Sequence, residues 1–281
     1  MASASPIKVE YQGRVAIISI NNEKKLNALS QAGYYDLAQA MREVATHDEV
    51  FITLLIGTGR FFSAGADVSL SRPSPSSSTD NNNSTTIPTH QHWLQSFVAF
   101  NLNLTQAFYT HPKILVIGLN GPVVGLSAAL VAFADFVYAA PHAFLLTPFS
   151  SLGLVTEGAA SRALVQRLGI AKANEALIMS KRISCEELVA VGFVNKVFEG
   201  CGKGEDGKFR GLVLREIDER LGEHLVGESL LGIKKLIRGP ERDVMDVQNV
   251  KEVFAGLDRF VSGVPQEMFR QIATGAKKHK L

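Results

Sequence analysis

Short runs of consecutive apolar, often β-branched residues punctuate the first half of the chain. Residues 14–20 (RVAIISI), 51–57 (FITLLIG) and 113–121 (KILVIGLNG) are too short for helices and do not alternate, so they predict buried strands. Residues 135–147 (DFVYAAPHAFLLT) predict another. After the first run, Ser30 reads as an N-cap, and SQAGYYDLAQAMREVATHD carries helical spacing behind it. Residues 91–111 predict a further helix, with Trp93, Leu94, Phe97, Val98, Leu102 and Leu104 as its apolar positions. Strands separated by helical segments predict an α/β core.

Two stretches depart from this pattern. Residues 71–89 (SRPSPSSSTDNNNSTTIPT) lack the apolar surface needed to order themselves, and predict a mobile surface loop inside the domain. From about residue 208 the chain turns charged and helical, with apolar positions at Leu212, Leu214, Ile217 and Leu221. Gly and Lys at 202–208 predict a hinge, giving a core over residues 1–205 and a C-terminal helical region over 206–281.

Composition narrows the function classes. The chain has 281 residues, 46% hydrophobic, with mean hydropathy +0.10, enough for a large core. Its net charge of +2 (29 Lys and Arg, 27 Asp and Glu) gives no global field for nucleic acid. No apolar run approaches a membrane span. Cys185 and Cys201 fit neither zinc spacing nor a disulfide framework, as expected of a reduced intracellular protein. The seven histidines form no metal-binding pair, and no Ser-His-Asp arrangement can be traced; His111, beside Pro112, reads as a loop histidine. Glycosylation patterns at Asn82, Asn83 and Asn103 carry little weight without a secretory start. His279-Lys280-Leu281 resembles a peroxisomal import address, which would make an import receptor a partner; a solvated basic tail reads equally well.

Three stretches carry candidate chemistry. GRFFSAGAD (59–67) follows a strand with small residues that let a ligand approach the backbone. NGPVVGLSAALVAFAD (120–135) opens an apolar helix whose first amides lack internal partners. Two such amides converging on one oxygen would form an oxyanion hole, although tight turns explain each stretch alone. Glu157 is a lone acid among Leu152, Leu154, Val155 and small residues, so it must be paired, solvated or employed. The apparent helix at 159–168 favours its charged form, while burial opposes that and is expected to win; Thr156 is the candidate cap.

Over residues 8–200, FSAGAD, NGPVVGLSAAL and EKKLNALS (23–30) resemble, in order, the oxyanion-hole and CoA-contacting segments of the crotonase (enoyl-CoA hydratase/isomerase) superfamily. That resemblance implies a spiral of ββα units, a C-terminal helical oligomerisation region, homotrimers or dimers of trimers, and fatty acyl-CoA substrates with no cofactor or metal. It puts the amide donors at Ala66 and Leu126, and substrate contacts at Lys25, Leu26, Ala28, Ala64, Gly65, Asp67, Val68, Gly125, Phe149 and Leu152. Asp67 and Asp135 read as structural rather than catalytic. Phe269 and the terminal lysines are candidates for gripping CoA adenine from a neighbouring subunit.

The two glutamates of a hydratase would align with Ala129 and Phe149, neither of which transfers a proton. Dienoyl-CoA isomerases of the family also use two acids. A single Glu157 resembles the fungal peroxisomal Δ3-Δ2-enoyl-CoA isomerases, which implies a role in β-oxidation of unsaturated fatty acids. The rival readings are an inactive acyl-CoA-binding scaffold and a single-acid thioesterase.

Overall fold

The computed structural model describes residues 5–67 and 89–277. Val68, nearly all of the predicted loop and His279-Lys280-Leu281 lie outside them. In chain order the elements begin β1 (Ile7–Gln12), β2 (Val15–Ile20), α1 (Gln31–Ala45) and β3 (Ile52–Gly57). There follow α2 (Thr89–Trp93), α3 (Ala99–Tyr109), β4 (Ile114–Leu119), β5 (Val123–Val124), α4 (Leu126–Leu130), β6 (Phe136–Ala139) and β7 (Phe144–Leu146). The rest are α5 (Ala160–Leu168), α6 (Ile170–Leu177), β8 (Ile183–Ser184), α7 (Cys185–Ala190), β9 (Lys196–Val197), α8 (Asp206–Leu221), α9 (Gly227–Arg238), α10 (Arg242–Val261) and α11 (Val264–Ala273).

The main sheet runs β1-β2-β3-β4-β6-β9, antiparallel at β1–β2 and parallel thereafter. Its inner strands are buried on both faces, which is why β3 and β4 read as unbroken apolar runs. One face packs on α1, α3 and α5; the other is covered by α8 through Phe209, Val213 and Ile217. A smaller sheet, β5-β7-β8, stands beside the main one.

Ser30 caps α1 as expected, its Oγ accepting from Gly33 N at 3.2 Å. One expectation is corrected and two are refined. Residues 135–147 form two strands in different sheets, because the turn at Pro141-His142 carries the chain from β6 across to β7. The helix over 91–111 is continuous but includes a π-helical turn at Leu94–Val98, where Trp93 and Phe97 pack on Phe260. His111 lies in a connection but is core: 3% exposed, its Nε2 2.7 Å from Thr53 Oγ1.

Asp135 is structural. Its carboxylate accepts from Leu115 N and pairs with Lys234 (2.7 Å) and Arg238 (3.1 Å), fastening α9 to the sheet. Among the described residues no helix is long and apolar enough to cross a membrane, and no His, Cys, Asp and Glu cluster fit for a metal occurs.

Candidate active site

The segment from Ser63 to Asp67 leaves β3 and touches two neighbours. An isolated parallel bridge joins Leu29 to Ala66, with Leu29 N donating to Gly65 O and Asp67 N to Leu29 O, both at 2.9 Å. In such a bridge the central residue uses neither of its own backbone groups, so Ala66 N–H keeps no partner among the described residues. Gly65 holds φ +86°, and a Cβ there would come within 2.8 Å of Val124 O and 3.7 Å of Gly125 Cα. Only glycine permits that turn and that approach.

The second segment reaches the same place. Gly125 N donates to Leu146 O at 2.8 Å, and Leu126 then opens α4. As the first helical residue, Leu126 has no intrahelical acceptor for its amide, and none is found elsewhere among the described residues. The apolar helix expected here is one α turn followed by a 3-10 turn, too short for a sizeable macrodipole. What this segment offers is the amide itself rather than a helix dipole.

Glu157 completes the group. Gly158 (φ +71°) and Ala159 (φ +52°) are both left-handed and swing the chain into α5. A Cβ at Gly158 would lie 2.9 Å from Ala129 Cβ and 3.0 Å from Leu126 Cδ1, so the acid's turn rests on the amide-bearing segment. Glu157 is half-buried, and its Oε2 accepts from Asn101 Nδ2 at 2.8 Å. Asn101, fully buried on α3, is in turn held through Thr105 Oγ1 at 3.3 Å.

Thr156 is not the cap of α5; the N-cap is Ala159, which has no side chain to offer. That end is held from α10. Glu252 Oε1 accepts from Ser161 N at 2.8 Å and from Ser161 Oγ, and Gln248 Nε2 donates to Ser161 Oγ at 2.7 Å. Burial pushes the Glu252 carboxyl above its ordinary range, against the pull of Ser161.

These pieces line one cavity of about 170 Å³: Ala64, Gly65, Ala66, Gly125, Leu126, Phe149, Leu152 and Glu157 all face it. Tyr34, Phe100, Phe260 and Phe269 also face it, unforeseen from the sequence. Phe269, a candidate for gripping CoA adenine, lines its own chain's apolar cavity. Asn101, Tyr34 and Glu252 carry no local signal, since each acts across a long sequence separation.

Lys25, Leu26, Ala28 and Asp67 stand outside this cavity. Lys25 Nζ and Asp67 Oδ2 form an ion pair at 2.6 Å. Ala28 is buried under the bridge at Leu29. Leu26, whose carbonyl accepts from Ala64 N at 2.9 Å, lines a separate cleft of about 470 Å³ together with Glu23, Arg60 and Lys203.

Two amides without partners among the described residues and one carboxylate, set on an apolar cavity, are groups that can stabilise an oxyanion beside a proton carrier. A family model described as Enoyl-CoA hydratase/isomerase matches residues 10–200, and the chain belongs to that family, the crotonase superfamily. The chain is 66% identical to a Δ(3,5)-Δ(2,4)-dienoyl-CoA isomerase of Pyricularia oryzae, over 97% of this chain and 98% of that protein. It is 35% identical to a 3,2-trans-enoyl-CoA isomerase of Saccharomyces cerevisiae, over 98% and 97%. An enoyl-CoA hydratase/isomerase structure from Pseudoalteromonas atlantica superposes with a TM-score of 0.79 at 24% identity, covering 99% of this chain and all of that one.

Proposed function

We propose that the protein is an enoyl-CoA isomerase that moves the double bond of a 3-enoyl-CoA to the 2-trans position. One observation carries this reading: Glu157 is the only carboxylate among the described residues lining the cavity that Ala66 and Leu126 share. The Glu157 carboxylate takes a proton from C2, and charge moves onto the thioester oxygen, where the amides of Ala66 and Leu126 stabilise the dienolate. The same carboxylic acid returns the proton at C4. Nothing is added from water, so one acid is enough. A hydratase would need further proton-transferring groups, and Ala129 and Phe149 offer none.

The fatty acyl chain takes the cavity between Phe100, Phe260 and Phe269, and the cleft with Arg60 and Lys203 suits the phosphorylated end of CoA. The chemistry asks for no cofactor. Ile233, Leu236 and Ile237 on α9 and Val247 and Phe254 on α10 are exposed large apolar residues, which fits burial in a homotrimer. The resemblance of His279-Lys280-Leu281 to an import address fits a peroxisomal location and an import receptor as partner. The particle's mass in solution and the position of a fluorescent fusion check these two points.

A second reading is favoured by the 66% identity to a dienoyl-CoA isomerase. That reaction returns the proton at C6, two carbons farther on. Incubating the protein with 3-enoyl-CoA and with 3,5-dienoyl-CoA separates the two. The first reading expects conjugated enoyl absorbance from the former; turnover of the dienoyl substrate alone overturns it. Glu157→Gln should bind substrate normally and lose roughly 10²–10⁴-fold in kcat, the usual share of a proton-transfer group. Free CoA release would instead indicate thioester hydrolysis.

A further inference from the structure

A buried line of hydroxyls joins the two amide-bearing segments. Ser63 Oγ donates to Asn27 O at 2.9 Å and accepts from Gly65 N at 3.1 Å. It also lies 2.9 Å from Ser127 Oγ, which is 2.9 Å from Tyr34 Oη. Ser63, Ser127 and Tyr34 are all within 3% of complete burial. Every hydroxyl has one hydrogen, and a carbonyl only accepts. Ser63 spends its hydrogen on Asn27 O, so Ser127 must donate to Ser63. Ser127 has then spent its own, so Tyr34 must donate to Ser127. The chain has one direction: Tyr34 to Ser127 to Ser63 to the Asn27 carbonyl.

We propose that Tyr34, Ser127 and Ser63 are positioning residues that set the spacing of the Ala66 and Leu126 amides and keep the Tyr34 proton out of the acyl cavity. Ser127 directly follows Leu126, and Ser63 holds the amide of Gly65, the residue before Ala66. The bond between the two serines is thus a cross-tie between the donors. Tyr34 lines the cavity, yet its hydrogen is committed to Ser127, which leaves Glu157 as the proton carrier. The inference rests on the oxyanion-hole reading above. It adds a claim that reading does not need: hydroxyls that never touch the thioester control how strongly its carbonyl is polarised.

The test is the infrared carbonyl stretch of a conjugated 2-enoyl-CoA bound to Glu157→Gln protein, where no turnover interferes. Ser127→Ala, added to that background, should return the stretch toward its value in free solution. In otherwise wild-type protein, Ser127→Ala should lower kcat roughly tenfold with KM changed by less than about twofold, because transition-state contacts are lost and ground-state binding is not. This is smaller than the ~10²–10³-fold cost of deleting an oxyanion donor outright.

Ser127→Cys, with a weakly donating thiol, should fall between Ser127→Ala and wild type. Tyr34→Phe removes only the first donor, so its effect should be smaller than that of Ser127→Ala. A stretch unmoved by Ser127→Ala, or an effect of Tyr34→Phe at least as large, overturns the proposal. Should Ser127→Ala fail to fold, the ordering of Ser127→Cys and Tyr34→Phe decides it. Absence of 3-enoyl turnover in the wild type, with the stretch still sensitive to Ser127, sinks the assigned reaction and leaves the cross-tie standing.

Discussion

Glu157 stands out in the sequence because a lone acid in an apolar stretch needs an explanation, but nothing nearby reveals what holds it. Its Oε2 takes a hydrogen bond from Asn101 Nδ2 at 2.8 Å, 56 positions away on α3. Asn101→Ala should leave substrate binding near normal and lower kcat by roughly tenfold or more, since a small misplacement of a reacting group can cost about 10²-fold. It should also reduce stability by about 1–3 kcal/mol, because the Thr105 hydroxyl loses the Oδ1 it donates to. Steady-state kinetics and urea denaturation measure the two effects. A fall in stability with unchanged kcat would remove Asn101 from the site. Ala66 and Leu126 could be proposed from the sequence for the opposite reason: the proposed role needs only a backbone amide, and Gly65 and Gly125 sit beside them in the chain.

At the scale of elements, β3 and β4 were legible as unbroken apolar runs and α1 by its helical spacing, because in each case burial is written in the local sequence. The edge strand β1 was not: its alternate residues face solvent, and it gains its identity only by pairing with β2. The roof of the cavity was equally hidden, since α10 and α11 return from more than 100 residues beyond Glu157's partner Asn101 to place Phe260 and Phe269 over it. That return is tight at one point. A Cβ at Gly256 would come within 2.7 Å of the Phe97 ring, which is 1% exposed and lies 4.6 Å from the Phe260 ring. Gly256→Ala gains about 1 kcal/mol of helix propensity, but the confined ring leaves overpacking of about 1–3 kcal/mol as the larger effect. The variant should therefore melt earlier than wild type and handle long acyl chains less well, as Phe260 is pressed toward the cavity. A raised melting temperature would show that Phe97 yields freely.

For the whole molecule, stability against acid should depend on a group far from the chemistry. His111 sits where α3 meets the sheet. Burial, with Lys234 and then Lys113 adding repulsion against a hydrogen bond to the Met41 backbone, lowers its pKa from 6.5 to about 3. The unfolded chain therefore binds the extra proton first. Its contribution to stability is complete above about 6.5 and is lost as the pH falls toward 3, by up to roughly 1.4 kcal/mol per pH unit. Glu252 acts with the opposite sign: its raised pKa favours the folded state below 4.5 and loses that contribution as pH rises through the folded value. The wild-type profile mixes both, so the decisive quantity is a difference. His111→Gln keeps a polar end near Thr53 and cannot titrate; Glu252, packed against α5, is unchanged between the two proteins. Between pH 7.5 and 5, urea denaturation should show wild type losing more stability than His111→Gln. Parallel profiles would mean that His111 becomes charged within the folded protein at little cost, and that the junction of α3 with the sheet is wetter than its 3% exposure implies.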